Sequence, residues 1–143
     1  MVKYYLKDSF MHNAHEKNAG NKARDDAEAI FISAGYKGLE PRVENWYEMN
    51  FFKAQAHKYA ATKAVFDQLS AGDELVIQFP IIHHTFFHAH LIKQAQRRGA
   101  KVFFLIHDLA ILRDSNHSSV GLRQKIRTFL QEKQVLRAVD GLI

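Results

Sequence analysis

The sequence predicts an α/β fold: a Rossmann-like parallel sheet in three layers, with helices on both faces of the sheet. Short apolar runs alternate along the chain with stretches of helical periodicity, which is the pattern of βαβ units with right-handed crossovers. Residues 102–106 are apolar without interruption, as in a strand whose two faces are both covered by helices. That run ends at once on a polar pair, His107 and Asp108.

Five segments combine a short apolar run with flanking turn residues, and we predict strands there: residues 2–6, 36–43, 74–79, 101–106 and a fifth that begins at residue 140. Pro41 weakens the second strand and Pro80 closes the third, because proline cannot donate to a ladder of hydrogen bonds. Gly35 and Gly99 are natural helix stops, and Gly72 lies in a turn.

Four segments carry apolar residues at helical spacing, and we predict helices there: residues 23–34, about 49–69, 85–98 and 121–138. The apolar positions of each helix are expected to face the sheet. In the first helix these are Ala23, Ala27, Ile30, Phe31 and Ala34; in the second, Phe52, Ala56, Tyr59, Phe66 and Leu69; in the third, His88, Leu91, Ile92 and Ala95; in the fourth, Leu122, Ile126, Phe129, Leu130 and Leu136.

Length and composition fit one ordinary globular domain. The chain has 143 residues, of which 47% are hydrophobic and 24% charged. It has no apolar run of the roughly 18 residues that a transmembrane helix needs and no signal-peptide pattern. Cysteine is absent, which excludes disulfides and thiolate chemistry. We therefore expect a cytoplasmic domain.

The net charge of +5 suits an acidic partner, such as nucleotide phosphates, nucleic acid or anionic lipid headgroups. A merely basic surface is the alternative. The densest group of cations lies in the last predicted helix: Arg123, Lys125, Arg127, Lys133 and Arg137. Because no RNA-binding aromatic signature accompanies them, we expect no nucleic-acid partner. Peripheral association with the inner face of the membrane is a further expectation.

Polar residues follow the predicted strands, where parallel sheets bind ligands. After the first strand, Gly20 permits close backbone approach, Asn21 can cap the next helix, and free N–H groups beside Lys22 attract anions. An ordinary capped helix start is the alternative. At the end of the third strand and directly after it come Gln78, Pro80 and His83.

A metal site among the histidines is not expected. His84 and His88 have the i,i+4 spacing of metal ligands. However, His88 falls on an apolar helical stripe, which favours a buried histidine, and the His-Glu-x-x-His motif is absent.

His107 and Asp108 are the candidate catalytic residues. They are neighbours at a strand end, so their side chains point to opposite sides. An imidazole there can act as acid, base or hydrogen-bond donor near neutral pH, and Arg113, shortly downstream, can meet an anion. The alternative is that the pair only satisfies loop backbone groups. No Gly-x-Ser-x-Gly motif is present, which argues against a hydrolase of that class.

An ordered set of motifs resembles one family. The set comprises Asn18-Ala-Gly-Asn-Lys-Ala23, Gly35-Tyr-Lys37, Gln78-Phe-Pro80, Phe104-Leu-Ile-His-Asp-Leu109 with Leu112-Arg113, and Asp140-Gly-Leu-Ile143. Together they resemble the N-terminal domain of bacterial GT-B glycosyltransferases of the glucosyltransferase 3 and galactofuranosyltransferase-like group. The resemblance covers essentially the whole chain.

The resemblance implies that residues 1–143 form the acceptor-side half of a GT-B enzyme. A C-terminal half would then hold most of the contacts to a nucleotide-sugar such as a UDP-sugar, which is a substrate, and no separate cofactor is implied. The implied activity is that of a hexosyltransferase acting on a glycan or glycoprotein acceptor in surface polysaccharide or glycoprotein synthesis. Family members are commonly oligomers, and this half alone is expected to be inactive.

The resemblance also implies that Gly20, Asn21, Lys22, Gln78, Pro80, His107 and Asp108 line the cleft. The residues taken by themselves leave another function open. A non-catalytic, flavodoxin-like module that binds a nucleotide or a protein has the same pattern of strands and helices.

Overall fold

The computed structural model describes residues 1–7, 19–81, 87–107 and 121–143. Within them lie five strands and four α-helices, with a short 3-10 helix at Trp46–Glu48. The strands are β1 (Lys3–Leu6), β2 (Lys37–Leu39), β3 (Glu74–Phe79), β4 (Lys101–Ile106) and β5 (Gly141–Leu142). The α-helices are α1 (Ala19–Ser33), α2 (Phe51–Phe66), α3 (His88–Arg97) and α4 (Leu122–Leu136).

The five strands form one parallel sheet in the order β2-β1-β3-β4-β5. The chain moves outward from β1 to β2, then returns past β1 to β3 and continues in the other direction. With right-handed crossovers this reversal places α1 on one face of the sheet and the other three helices on the opposite face. The predicted fold class, a parallel sheet with helices on both faces, is confirmed.

The core is divided between the two faces. Tyr5 and Val76 of the sheet pack with Ala27 and Phe31 of α1, and the rings of Tyr5 and Phe31 are stacked with centroids 5.5 Å apart. The larger cluster joins the opposite face of β3 and β4 to the other three helices, and its sheet residues include Leu75, Ile77, Phe79, Val102 and Phe104. Because both faces are covered, β3 and β4 have the near-continuous apolar sequence of central parallel strands.

Two boundaries differ most from the sequence prediction. The second strand is shorter than residues 36–43, because the chain leaves the sheet after Leu39, just before Pro41. The first helix starts at Ala19, earlier than the apolar stripe indicates. Gly35 and Gly99 have positive φ values of 80° and 89° and follow α1 and α3 as predicted helix stops.

The predicted inward faces of three helices are partly wrong. On α1 the buried residues include Ala27 and Phe31, whereas Ile30 is 65% exposed and Ala23 and Ala34 are also exposed. On α2, Phe66 and the following Leu69 are buried as predicted, but Phe52 is 83% exposed. On α4 the predicted apolar stripe is exposed at four of its five positions: Leu122, Ile126, Phe129 and Leu130.

The buried face of α2 is set by Val65 and Phe66, which pack in the main core, and this explains why Phe52 was wrongly predicted to face inward. At helical spacing, Thr62 and Lys58 lie on the same face of α2 as Val65 and Phe66, and both are buried. The Lys58 ammonium lies 3.3 Å from the centroid of the Trp46 ring, and burial lowers the pKa of this amine. The cation–π contact stabilises a charge that hydrophobicity alone would place in solvent.

None of the helices in the described ranges has the length and apolar character needed to cross a membrane.

A pair of phenylalanine substitutions tests the assignment of the core. Phe104→Ala removes a ring that is 0% exposed, so we expect the free energy of unfolding to fall by about 3–5 kcal/mol. Phe52→Ala, at a residue that is 83% exposed, should change the same quantity by less than about 0.5 kcal/mol. Urea unfolding followed by circular dichroism measures both. Equal losses for the two variants would contradict the observed orientation of α2.

Candidate functional site

The carboxyl edge of the sheet, where β1, β3 and β4 end, brings together three polar side chains from three elements. Gln78 comes from β3, His107 directly follows β4, and Arg24 projects from α1. Connections from β1 and β3 run in opposite directions, so the two strands flank the point at which the strand order reverses. Ligands of open α/β sheets bind outside the carboxyl ends of the strands at such a point.

Alternation along the strands puts Gln78 and His107 on the same face of the sheet. Gln78 is two residues beyond Val76, which packs on α1, and His107 is two residues beyond Leu105, which adjoins the same cluster. The register pairs Gln78 with Leu105, and the His107 N–H donates to the Phe79 carbonyl at 2.9 Å. The backbone ladder therefore holds the histidine beside the glutamine.

Gln78 is 4% exposed, so its amide must be satisfied inside the protein. Its Nε2 donates to the Arg24 carbonyl at 3.4 Å, and its Oε1 lies 2.6 Å from Nε2 of His107. Because Gln78 uses its NH2 group toward a carbonyl, its oxygen faces the imidazole and can only accept. The contact thus assigns the ring proton of His107 to Nε2 and leaves Nδ1 as the basic nitrogen.

The pKa of His107 lies below its ordinary value of 6.5, chiefly because burial of the ring disfavours the charged form. The positive charge of Arg24 acts in the same direction. The residue as a whole is exposed, so its ring combines access to solvent with partial desolvation against Gln78. A neutral imidazole with Nδ1 as its basic nitrogen can accept a proton or a hydrogen bond from a bound hydroxyl.

Arg24 was not among the residues predicted from the sequence. It is 8% exposed, and its guanidinium donates to the Pro80 carbonyl. Its position, with Ala27 and Phe31, has the i, i+3, i+7 spacing of the buried stripe of α1. An arginine on the stripe of the helix that follows the first strand could have indicated a buried cation at this edge. Hydrophobicity alone assigns such a residue to the surface.

The residues that the sequence predicted to attract anions before the first helix are part of α1 itself. Gly20, Asn21 and Lys22 lie in the first turn of the helix, so Asn21 does not precede the helix as its cap, and that prediction is wrong. The first backbone N–H groups of a helix have no partner within it. Residues 19–22 therefore carry backbone N–H groups that have no partner within the helix, and the Lys22 side chain is exposed.

Three predicted site residues lie outside the described ranges: His83, Asp108 and Arg113. His84, considered above as a metal ligand, also lies outside these ranges. His88 is 3% exposed, and its ring stacks on Phe87 with centroids 5.2 Å apart. The expectation of a buried histidine at that position is confirmed. Among the described residues, no three histidine, aspartate or glutamate side chains lie close enough to hold a metal ion.

The architecture is that of a doubly wound α/β domain with a hydrogen-bonded glutamine–histidine pair at the carboxyl edge of its sheet. Comparison of families agrees with the motifs described above. Residues 3–143 match the family described as glucosyltransferase 3-like, N-terminal domain. Because the match covers nearly the whole sequence, the chain belongs to this family and is the N-terminal domain of a glucosyltransferase-like protein. No curated protein matches the chain.

The pKa of His107 provides a test of this arrangement. We expect its imidazole, followed by NMR, to titrate below 6.5. Arg24→Met should move the midpoint upward, because it removes a positive charge that disfavours protonation. In the wild-type protein, the lowered pKa of His107 means that the folded state binds fewer protons than the unfolded state just below pH 6.5. The free energy of unfolding should therefore fall as the pH drops through this range.

Lys22→Met is the matched control, since it removes an exposed charge from the same helix. An unchanged midpoint in Arg24→Met, or an equal shift in the control, would contradict the effect of the Arg24 charge on the pKa of His107.

Proposed function

We propose that this chain is the acceptor-side domain of a hexosyltransferase that transfers a sugar from a nucleotide-sugar, such as a UDP-sugar, to a glycan or glycoprotein. The observation that carries the proposal is the contact between Gln78 and His107, 2.6 Å long, at the carboxyl edge of the sheet. Membership of the glucosyltransferase 3-like family supplies the reaction class. The hydrogen bond to Gln78 orients the His107 imidazole at the carboxyl edge of the sheet, which supports its assignment as the base.

The chemistry requires a base near the acceptor hydroxyl. As this oxygen bonds to the anomeric carbon, the bond from that carbon to the diphosphate breaks and its electron pair leaves with the nucleotide. The acceptor proton must pass to a base. His107 suits this role because Gln78 holds its proton on Nε2 and its lowered pKa keeps Nδ1 unprotonated at neutral pH.

The positive charge at this edge suits the departing diphosphate. Arg24 provides a buried guanidinium whose orientation is held by the Pro80 carbonyl. The first turn of α1, with Gly20, Asn21 and Lys22, adds backbone N–H groups and a helix dipole. Groups held in place before reaction stabilise developing negative charge at little cost in reorganisation.

The remaining assignments are part of the proposal: those of Asp108 and Pro80 follow the family resemblance, and those of His83 and Arg113 follow from their positions in the sequence after the third and fourth strands. Asp108 is the second catalytic candidate, as an orienting group or base, and His83, Arg113 and Pro80 are candidate substrate contacts. A C-terminal half would hold most of the nucleotide-sugar. Self-association and a role in surface polysaccharide or glycoprotein synthesis belong to the same proposal.

Substitution of His107 tests the catalytic role. In a protein that carries this domain together with its C-terminal half, His107→Gln should lower kcat by about 10²–10⁴-fold. The loss arises because glutamine cannot accept the acceptor proton. The pKa of His107 lies below its ordinary value of 6.5, so the wild-type rate should decline as the pH falls below 6.5 and protonates the base. The variant should lose this dependence. Sugar-transfer kinetics across pH measure both effects.

His57→Gln is the matched control, because His57 is an exposed histidine on α2. It should leave kcat unchanged. A His107→Gln enzyme with wild-type kcat and pH profile would overturn the catalytic assignment.

The strand order favours one second candidate, a non-catalytic nucleotide-binding or interaction module. The order β2-β1-β3-β4-β5 is the flavodoxin-like order, in which a single domain binds its ligand alone. Thermal-shift titration of the 143-residue chain with UDP and a UDP-sugar separates the two candidates. The acceptor-side role predicts no tight binding by this chain alone, and tight binding would favour the module.

A further inference from the structure

Helix α4 turns its most apolar residues toward solvent. Leu122, Ile126, Phe129 and Leu130 are 74%, 50%, 42% and 57% exposed. Their i, i+4, i+7, i+8 spacing places them on one continuous stripe of the helix. Such a stripe normally faces a core, so its exposure along one helix indicates an interaction surface rather than scattered apolar residues.

The opposite side of α4 anchors the helix to the domain. Val135 and the following Ala138 are buried in the main core, and Glu132 is 2% exposed. The Ala138 carbonyl accepts a hydrogen bond of 2.8 Å from Gln96 of α3. The outward orientation of the apolar stripe is therefore set by contacts to the core along the other side of the helix.

Cations surround this stripe. Arg123, Arg127, Lys133 and Arg137 are exposed on or directly after α4, and Lys93 and Arg97 are exposed on the neighbouring α3. The Lys133 ammonium lies 5.4 Å from the Phe129 ring centroid. A shallow groove of about 370 Å³ runs between the two helices, lined by Lys93, Leu130, Lys133, Gln134 and Arg137. The sole carboxylate within α4 is Glu132, which is buried.

The combination of charge and apolar area selects among occupants. A second copy docked through the same face would bring like charges together across a twofold axis, which disfavours that interface. Nucleic acid would satisfy the cations but not the apolar stripe. An anionic bilayer satisfies both, because apolar side chains enter the boundary of the acyl chains while cations meet lipid phosphates.

We propose that α4 and the adjoining cationic groove dock this domain onto the surface of an anionic membrane, with α4 lying in the plane of the interface. Leu122, Ile126, Phe129 and Leu130 enter the headgroup layer, and the cations of α3 and α4 bind lipid phosphates. With 15 residues, the helix presents a contact about 22 Å long.

Docking through α4 would keep the candidate site accessible. α4 packs on the face of the sheet opposite to α1, whereas Gln78 and Arg24 lie on the α1 side. A bilayer beneath α4 therefore does not cover the edge at which His107 lies. This inference does not depend on the proposed transferase chemistry.

Vesicle co-sedimentation tests the proposal, both on the 143-residue chain and on a protein that carries this domain together with its C-terminal half. Vesicle binding by the shorter chain but not by the longer protein would assign the stripe to contact with that half and would overturn the proposal. We expect binding to vesicles of phosphatidylglycerol and phosphatidylcholine in equal parts, weakening as salt rises, and little binding to phosphatidylcholine alone. Ile126→Ser with Phe129→Ser, and separately Lys133→Glu with Arg137→Glu, should each weaken binding at least about tenfold. All four side chains are exposed, so the fold should persist, as circular dichroism will verify.

Matched controls use exposed residues elsewhere. Ile30→Ser with Ile32→Ser on α1, and Lys37→Glu with Lys53→Glu, remove equal numbers of apolar and charged groups. They should retain most of the binding. The proposal is overturned by the absence of vesicle binding, by equal losses in the controls, or by dimerisation in analytical ultracentrifugation that Ile126→Ser with Phe129→Ser abolishes. The proposal would also be overturned if the wild-type chain bound duplex DNA but not vesicles, and only Lys133→Glu with Arg137→Glu abolished the DNA binding.

Discussion

The buried amide of Gln78 is the constraint on which the arrangement of this domain's candidate site depends. It sits in a central strand whose other side chains are nearly all apolar, and it is 4% exposed. An amide in that position costs free energy unless both of its ends are hydrogen-bonded. The Arg24 backbone satisfies one end and the His107 ring the other, so one side chain connects α1, β3 and β4.

That connection has chemical consequences. Because the amide donates to α1, it must accept from His107, which selects the imidazole tautomer and leaves Nδ1 basic. The same approach of α1 brings the Arg24 guanidinium to the Pro80 carbonyl and close enough to disfavour a charged imidazole. A packing requirement in the sheet thereby produces a neutral, oriented imidazole, and the proposed transfer of a sugar to a hydroxyl rests on that group as its base.

The sequence predicted the positions of the strands and helices better than it predicted which face of each helix is buried. Residues 101–106 were predicted and found as a strand, and His107 and Gln78 were both expected at the carboxyl edge. Arg24 was missed because hydrophobic patterning treats a charged residue as exposed. The stripe on α4 was predicted inward because apolar periodicity reports that a helix has an apolar face, not which surface covers it.

The sequence by itself determined the parallel α/β class, since strand-length apolar runs alternating with helices can bury their residues together in few other ways. It also determined that polar groups follow the strands, because these residues end the apolar runs. Tertiary structure alone decided that Gln78 pairs with His107 and that Arg24 lies on the buried side of α1, where its guanidinium meets the Pro80 carbonyl. Those contacts depend on strand register and on the rotation of each helix about its axis, which arise from long-range packing rather than from local pattern.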